Sequence, residues 1–326
     1  MLKDEVLSAL RRAERPVSGA ELCKALGVSR AAVWKAVEVL RKEGYEIEAQ
    51  SAVGYRLTAA PDRLNAAELR TADGVVGREV VCLDTVDSTN EEIKRRALAG
   101  AEAGLVVTAE TQTGGKGRRG RSFQSLSGKG LYLSVLLKPR VPLDQVSQLT
   151  AWTAVAVCRA IEAVCNVKPQ IKWPNDVLVD GKKLCGILTE MGVEAETGAL
   201  SYVVVGMGTN VSQTARDFGP ELNEIATSLH ILGAEVTRRE LALALMAELD
   251  RMNAAFPDGR EEYFDAYTRR CVTLGKQVKL VRLDGETLAT AERLTGTFQL
   301  VVRHPDGTEE TVSSGEVSVR GLLGYQ

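Results

Sequence analysis

The 326-residue chain is 44% apolar and 26% charged, with a net charge of −2. That is enough chain for two or three domains with cores of their own. It is not a polycation, so anion binding must come from local patches, and no apolar run is long enough to span a bilayer. Two histidines (His230, His304) and six scattered cysteines without a C-x-x-C pair argue against a structural zinc site and against His-based triads. Chemistry must then rest on Lys, Arg, Asp, Asn and backbone groups. Cys23, Cys82, Cys158, Cys165, Cys185 and Cys271 read as reduced thiols, mostly in the core. Met1–Glu5 has no signal-peptide architecture, which gives a cytoplasmic expectation.

In chain order, Leu2, Val6, Leu7 and Leu10 fall at helical spacing. Ser18 and Glu21 form a capping box for a short helix to about Leu26. Ser29 caps a third helix that buries Val33, Val37 and Leu40, exposes Arg30 and Lys35, and ends at Gly44. Alternation over Tyr45–Ala49 and the return at Gly54–Leu57 predict a β-hairpin. Three helices and a hairpin over residues 1–60 make a winged helix-turn-helix, with Ser29, Arg30 and Lys35 as the DNA-facing residues. Ten Lys or Arg against eight Asp or Glu in this stretch suit a DNA reader that works as a dimer, and a small protein-interaction module is the alternative. Ala59–Leu64 is the expected linker.

From residue 65 to 270 strands and helices mix. Strands are expected at Val80–Leu83, Leu105–Thr108, Leu131–Leu137, Val177–Val179, Ile187–Met191 and Tyr202–Gly206. Helices are expected over Leu143–Cys165 and Arg239–Phe256. A mixed α/β sheet with helices on one side fits better than a doubly wound parallel sheet. Neither a phosphate-loop nor a dinucleotide-binding glycine signature is present.

Polar clusters sit at the ends of these strands. Asp87-Ser88-Thr89-Asn90 can bind a neutral polar headgroup or simply cap the following helix. Gln112 leads into Gly114-Gly-Lys-Gly-Arg-Arg-Gly-Arg121, where Lys116, Arg118, Arg119 and Arg121 are interspersed with glycines. Glycine permits close backbone approach, and guanidinium groups grip phosphate and carboxylate oxygens in bidentate fashion. In isolation such a loop is an anion clamp, a solvated basic turn or a nucleic-acid arm. Lys172-Trp173-Pro174-Asn175-Asp176 offers a carboxylate for Mg²⁺ and an amide for phosphate or ribose. Lys183 follows an Asp180-Gly181 hairpin turn. Gly206-Met207-Gly208-Thr209-Asn210 suits close backbone contact with a base or ribose. Beyond Cys271, Asp284-Gly285 and Asp306-Gly307 between alternating strands signal hairpins and a small SH3-like β-barrel over 271–326.

Taken in order, D-S-T-N, T-Q-T-G-G-K-G-R-R-G-R, K-W-P-N-D, K-K-L-C-G-I-L, G-M-G-T-N and G-E-V-S-V-R (Gly315–Arg320) resemble the bifunctional biotin protein ligases that also repress transcription of biotin genes. The resemblance covers essentially the whole chain. It implies an α+β multidomain protein: a winged helix-turn-helix (1–60), a catalytic domain of the biotin/lipoyl ligase type (65–270) and an SH3-like domain (271–326). It also implies an AMP-forming ligase that makes biotinyl-5′-AMP from biotin and ATP with Mg²⁺. Biotin then passes to a lysine of the biotin carboxyl carrier protein of acetyl-CoA carboxylase. Carried over by position, Ser88, Thr89, Asn90, Gln112, Gly115, Lys116, Gly117, Arg118, Lys183 and Gly186 hold biotin. Arg118, Arg121, Phe123, Lys172, Trp173, Asn175, Asp176, Lys183, Asn210 and Arg320 hold the nucleotide. Lys183, Arg118, Arg121 and Asp176 carry catalysis, with Asp176 as the metal ligand. The family further implies that the adenylate is a co-repressor, ordering the loop and promoting a homodimer that binds operator DNA. Two positions depart from the family's usual pattern: Lys116 replaces arginine and Phe123 replaces tryptophan.

Overall fold

The computed structural model describes residues 2–50, 53–71, 73–282, 285–313 and 318–321. The chain divides into two compact units, Met1–Arg70 and Thr71–Gln326.

The first unit packs α1 (Leu2–Arg12), α2 (Gly19–Leu26) and α3 (Arg30–Lys42) beside a hairpin of β1 (Glu46–Gln50) and β2 (Gly54–Ala59). Val6, Leu7 and Leu10 of α1 meet Leu22 and the α3 stripe Val33, Val37 and Leu40 in one core. Ser18 Oγ accepts from the Glu21 amide while Glu21 accepts from the Ser18 amide, so the capping box forms as the spacing predicts. The unit continues past the expected linker into α4 (Ala66–Leu69). There Leu69 is buried, and Glu68 accepts from Arg11 and from the Tyr45 hydroxyl. Burial and the Glu68 charge push the Tyr45 phenol up to about 12.

The second unit is built on a seven-stranded sheet. Its strands are β3 (Val80–Val86), β4 (Val106–Gln112), β5 (Gly130–Leu137), β6 (Gln170–Lys172), β7 (Asp176–Val179), β8 (Lys182–Val193) and β9 (Leu200–Asn210). They lie in the order β3-β4-β5-β9-β8-β7-β6. Only β3 and β4 run parallel; the other neighbours are antiparallel. The helices are α5 (Thr89–Leu98), α6 (Leu143–Val146), α7 (Gln148–Val164), α8 (Ala215–Asn223), α9 (Arg238–Ala255) and α10 (Arg260–Arg270).

Helices cover both faces of the sheet rather than one. The α5 residue Ile93 packs on Val107, Leu136 and Val204. Thr150 of α7 bonds Thr189, whose register partner Val205 points to the opposite face by strand alternation. α7, α9 and α10 meet in an aromatic cluster. Trp152 stacks on Tyr263 at 4.1 Å and meets Phe256 edge-on at 4.9 Å.

The last strands, β10 (Gln277–Val281), β11 (Glu286–Leu294), β12 (Leu300–Arg303), β13 (Glu309–Val312) and β14 (Ser318–Gly321), form an antiparallel sheet in the order β13-β12-β11-β10-β14. This matches a small SH3-like domain, although no β13–β14 pairing closes it into a barrel among the described residues. Phe298, at φ 62°, fastens the sheet to the rest of the unit. Its ring meets Phe264 and Tyr267 of α10 at 5.5 Å, and its carbonyl accepts the Trp173 indole N–H at 2.9 Å. Asp284 and Gly315–Val317, expected in a turn and in a motif, lie outside the described residues. No described helix is long and apolar enough to cross a membrane. None of the six cysteines is in a disulfide; Cys158, Cys185 and Cys271 are buried.

Trp152 is completely buried between three helices, so Trp152→Ala is expected to cost about 3–5 kcal/mol through lost contacts and a residual cavity. Denaturant unfolding followed by circular dichroism checks this, and a near-neutral effect would show that the cluster is not a keystone.

Candidate functional site

The site forms where the ends of β4, β5, β8 and β9 meet the N-terminus of α5 and the glycine-rich loop. Glycines on the strands make the room. Gly186 pairs with Gly208 across β8–β9, and Gly206 lies two residues along on the same face. A Cβ at 208 would lie 2.5 Å from the Phe123 ring, one at 186 would lie 3.0 Å from Lys183 Nζ, and one at 206 would collide with Asn90 Oδ1. The close approach expected at Gly206 and Gly208 for a base or ribose is therefore taken by two of the protein's own side chains.

Above this bed lies a narrow cavity of about 60 Å³, lined by Ser88, Thr89, Asn90, Gln112, Lys116, Gly117, Arg118, Phe123, Asn175, Lys183 and Gly186. As it stands it has room for only a few waters. Ser88 is the N-cap residue of α5 by position but makes no side-chain cap bond. Its hydroxyl is thus not spent on the helix, which leaves the headgroup reading open beside the capping one. Gln112 Oε1 accepts from the Thr89 amide (2.8 Å) and hydroxyl (3.1 Å), and its Nε2 donates to Ser125 at 2.8 Å. Ser134, which the sequence reading passes over, lies 2.7 Å from Thr89 Oγ1 and 2.6 Å from Asn90 Oδ1. Asp87 is held well below the usual carboxylate range, chiefly by its paired hydrogen bonds with Arg95. Its carbonyl accepts the Gly114 amide, which fixes where the loop begins.

A second cavity, about 800 Å³, adjoins the first and shares Phe123 and Lys183 with it. Arg121, Lys172, Asp176 and Asn210 line it, together with Phe218, Leu222 and Ile225 on and beyond α8, a wall the sequence did not announce. Lys183 Nζ lies 2.6 Å from Asp176 Oδ1, a close ion pair at the seam of the two cavities.

Arg118 Nη1 donates to Asn175 Oδ1 at 3.0 Å, and Asn175 is anchored in turn on the Ile187 carbonyl. Burial pulls the Arg118 guanidinium below its ordinary value, Asp176 opposes this, and Arg119 and Arg121 add to it. It stays charged regardless.

Some predicted residues stand apart from the cavities or are committed elsewhere. Trp173 is 2% exposed, with its indole N–H occupied by Phe298. Asn210 donates to the Thr227 carbonyl and accepts from Gln213. Gly115 bonds Phe123 through its carbonyl. Arg320 lies on β14 opposite Lys279, and its side chain is outside the described residues. In the first unit, Arg30 and Lys35 are exposed on α3, while Ser29 Oγ is taken by the Ala32 amide as a helix cap. Trp34, between the two cations, is 58% exposed.

A biotin/lipoate A/B protein ligase family model matches residues 82–210, and an HTH domain model matches residues 3–56. A bifunctional ligase/repressor BirA of Bacillus spizizenii is 45% identical over 215 residues, which is 65% of this chain and 66%, just under two thirds, of that protein. A biotin–[acetyl-CoA-carboxylase] ligase of Mycobacterium tuberculosis is 31% identical over 246 residues, 74% of this chain and 88% of that one. The chain belongs to the biotin protein ligase family. A solved biotin protein ligase from Aquifex aeolicus, in complex with biotin and ATP, superposes with a TM-score of 0.64 at 28% identity, covering 75% of this chain and 99% of that one. The phenyl ring of Phe123 fills the bed over Gly208 and meets Tyr132 edge-on at 6.2 Å. Lys116 reaches Glu91 at 2.6 Å.

The bed has little slack. Gly208→Ala is expected to destabilise the protein by about 1–3 kcal/mol through overpacking against Phe123. Phe123→Ala in the same background should relieve most of that loss, and a thermal-melt double-mutant cycle showing simple additivity would contradict the contact.

Proposed function

We propose that this biotin protein ligase family member joins biotin to ATP to give biotinyl-5′-AMP and pyrophosphate, then transfers biotin to a lysine of a biotin carrier domain. The observation that carries the reading is the meeting of the two cavities at Lys183. The small cavity, with Ser88, Thr89 and Gln112, suits a neutral polar headgroup. The larger one, with Arg121, Lys172 and Asp176, suits a nucleotide and its phosphates. A carboxylate extending from the first and an α-phosphate from the second arrive at the same ammonium.

In the first step a biotin carboxylate oxygen attacks the α-phosphorus and the bond to the β-phosphate oxygen breaks. Lys183 offsets the repulsion between the two anions and stabilises charge growing on the phosphoryl oxygens. Arg118, braced by Asn175, holds the carboxylate, and Arg121 holds phosphate from the loop's other end. In the second step the neutral amine of the carrier lysine attacks the acyl carbon of the mixed anhydride, and AMP leaves. Neither step needs an enzyme nucleophile, in keeping with a chain that has two histidines. The work is charge stabilisation and orientation.

Mg²⁺ is an ion held through one or two carboxylates plus substrate phosphates. Asp176, whose carboxylate lines the larger cavity, is the residue that would hold it, and the ion would neutralise phosphate charge.

The same reading assigns the first unit to operator DNA, with Arg30 and Lys35 of α3 at the groove. The adenylate serves as the co-repressor that orders the glycine-rich loop and favours a homodimer, a shift by differential affinity. The carrier is the biotin carboxyl carrier protein of an acetyl-CoA carboxylase. The wing presents Glu46 and Glu48 to solvent, with the exposed Arg56 across the hairpin from Glu48.

Incubation with ATP and either biotin or lipoate, followed by pyrophosphate release and transfer to a carrier domain, tests the reading; preference for lipoate, or no transfer, would sink it. Lys183→Ala should lose roughly 3 kcal/mol or more of transition-state stabilisation, and near-normal turnover would show that the ammonium is misassigned. Arg118→Gly should let the adenylate escape faster, measured by its dissociation rate.

Trp152 and Trp173 are buried, whereas Trp34 is exposed. Operator DNA should therefore change tryptophan emission through Trp34, and Trp34→Phe should abolish the response; a response that persists would place the DNA elsewhere.

A further inference from the structure

The Lys116–Glu91 contact begins a chain of charged hydrogen bonds that the proposed reaction does not use. Lys116 Nζ donates to Glu91 Oε1 at 2.6 Å. The same oxygen accepts from Lys94 Nζ at 3.0 Å, and Lys94 also donates to Glu190 Oε1 at 2.6 Å. The other Glu190 oxygen accepts from Asn90 Nδ2 at 2.8 Å. The chain therefore runs from the glycine-rich loop across α5 to β8 and ends on a side chain lining the small cavity.

Each link has a physical reason to hold. Burial disfavours the Lys94 ammonium, yet Glu190 and Glu91 outweigh it and lift it above its ordinary value. Glu91 is held low, first by Lys116 and then by Lys94. Asn90 is 4% exposed, and both of its amide hydrogens are committed, one to Glu190 and one to the Leu188 carbonyl at 3.3 Å. Flipping the amide would set its oxygen against the Glu190 carboxylate. Asn90 therefore shows the cavity an acceptor and no donor. Oδ1 already receives the Ser134 hydroxyl at 2.6 Å, and an amide oxygen can accept a second donor.

We infer that Glu190 is a positioning residue that fixes Asn90 as an acceptor for a ring N–H, and that Lys94 and Glu91 tie this setting to Lys116 on the loop. The inference deepens the proposed biotin ligase reading and rests on it. A cyclic urea supplies ring N–H donors for a second bond to Asn90 Oδ1, whereas a dithiolane supplies none. That is the kind of loss by which a site built for hydrogen bonding rejects an analogue. Because the relay joins two parts of one site, ligand binding and loop position must bias each other equally.

The test uses the full chain. Glu190→Gln should raise the biotin KM by about 10-fold with kcat and the ATP KM nearly unchanged, the signature of lost ground-state and transition-state binding alike. Lys94→Met should do the same and Lys94→Arg should restore most of it, which a merely structural role would not predict. Lys116→Met should speed adenylate release by a few-fold, as expected for a half-exposed pair. Its effect should not add to that of Glu190→Gln, although the two residues do not touch.

An unchanged biotin KM in Glu190→Gln, or strict additivity in the cycle, would overturn the inference while the ligase reading stood. A kcat loss and lower melting temperature without a KM change would also overturn it. A wild-type protein that forms no biotinyl-5′-AMP would overturn the ligase reading and this inference with it.

Discussion

Lys183 Nζ stands 2.6 Å from Asp176 Oδ1 at the seam of two cavities, and much of the second unit serves to keep it there. Its strand, β8, starts at a tight turn in which Asp180 and Gly181 both take positive φ. Its amide and carbonyl are bonded to Ile225 and Thr227, so the backbone is pinned on the side away from Asp176. A lysine is a compact charge on a flexible stem; pinning its backbone and supplying one carboxylate partner limits where that charge can rest. A site that brings two anions together needs such a charge waiting before either ligand arrives.

The second constraint is space. Gly186, Gly206 and Gly208 sit in strands, where glycine costs conformational entropy, and they repay it by letting Lys183, Asn90 and Phe123 lie against the sheet. Their register places all three on one face. The opposite face of the same strands carries Val203, Val205 and Met207, which are buried. A single alternation thus separates a packed core from a polar recess one residue apart along the chain.

These patterns differ in how openly the sequence shows them. The first unit was readable because its signals are local: a capping box, a left-handed glycine at Gly27 and an apolar stripe on α3. Strand positions in the second unit were readable from continuous apolar runs. The polar clusters were readable as clusters, and the fold does gather Ser88, Gln112, Arg118 and Lys183 around one recess. What stayed hidden depends on contacts distant in sequence. Ser134 sits inside an apolar strand and is drawn to the site only by β5–β9 pairing with Gly206. Trp173, which the family resemblance sets beside the nucleotide, gives its indole N–H to the Phe298 carbonyl, 125 residues away, a bond that no local pattern announces. The wall on and beyond α8 stayed hidden because Gly219 and Pro220 interrupt the helix, even though a Thr214–Asp217 capping box opens it. The alternating glycines at 206 and 208 were a usable signal for close approach, but not for what approaches.

Lys116 shows how a single cation of the loop is absorbed by its surroundings. An arginine there would bring a planar fork suited to two oxygens at once. A lysine brings one rotatable ammonium, and here it meets a single oxygen, Glu91 Oε1, which Lys94 already shares. Two ammonium groups on one carboxylate oxygen would repel if Lys94 had no second carboxylate, and Glu190 provides it. The charges then alternate without a like-signed neighbour left uncompensated. The last carboxylate, Glu190, has its free oxygen directed at a neutral amide rather than at another charge. A loop of cations can thus be drawn toward the pocket without placing another net positive charge against the headgroup, where a neutral ring is expected to bind. The positive field remains concentrated at Lys183 and Arg118, where anions are to be joined.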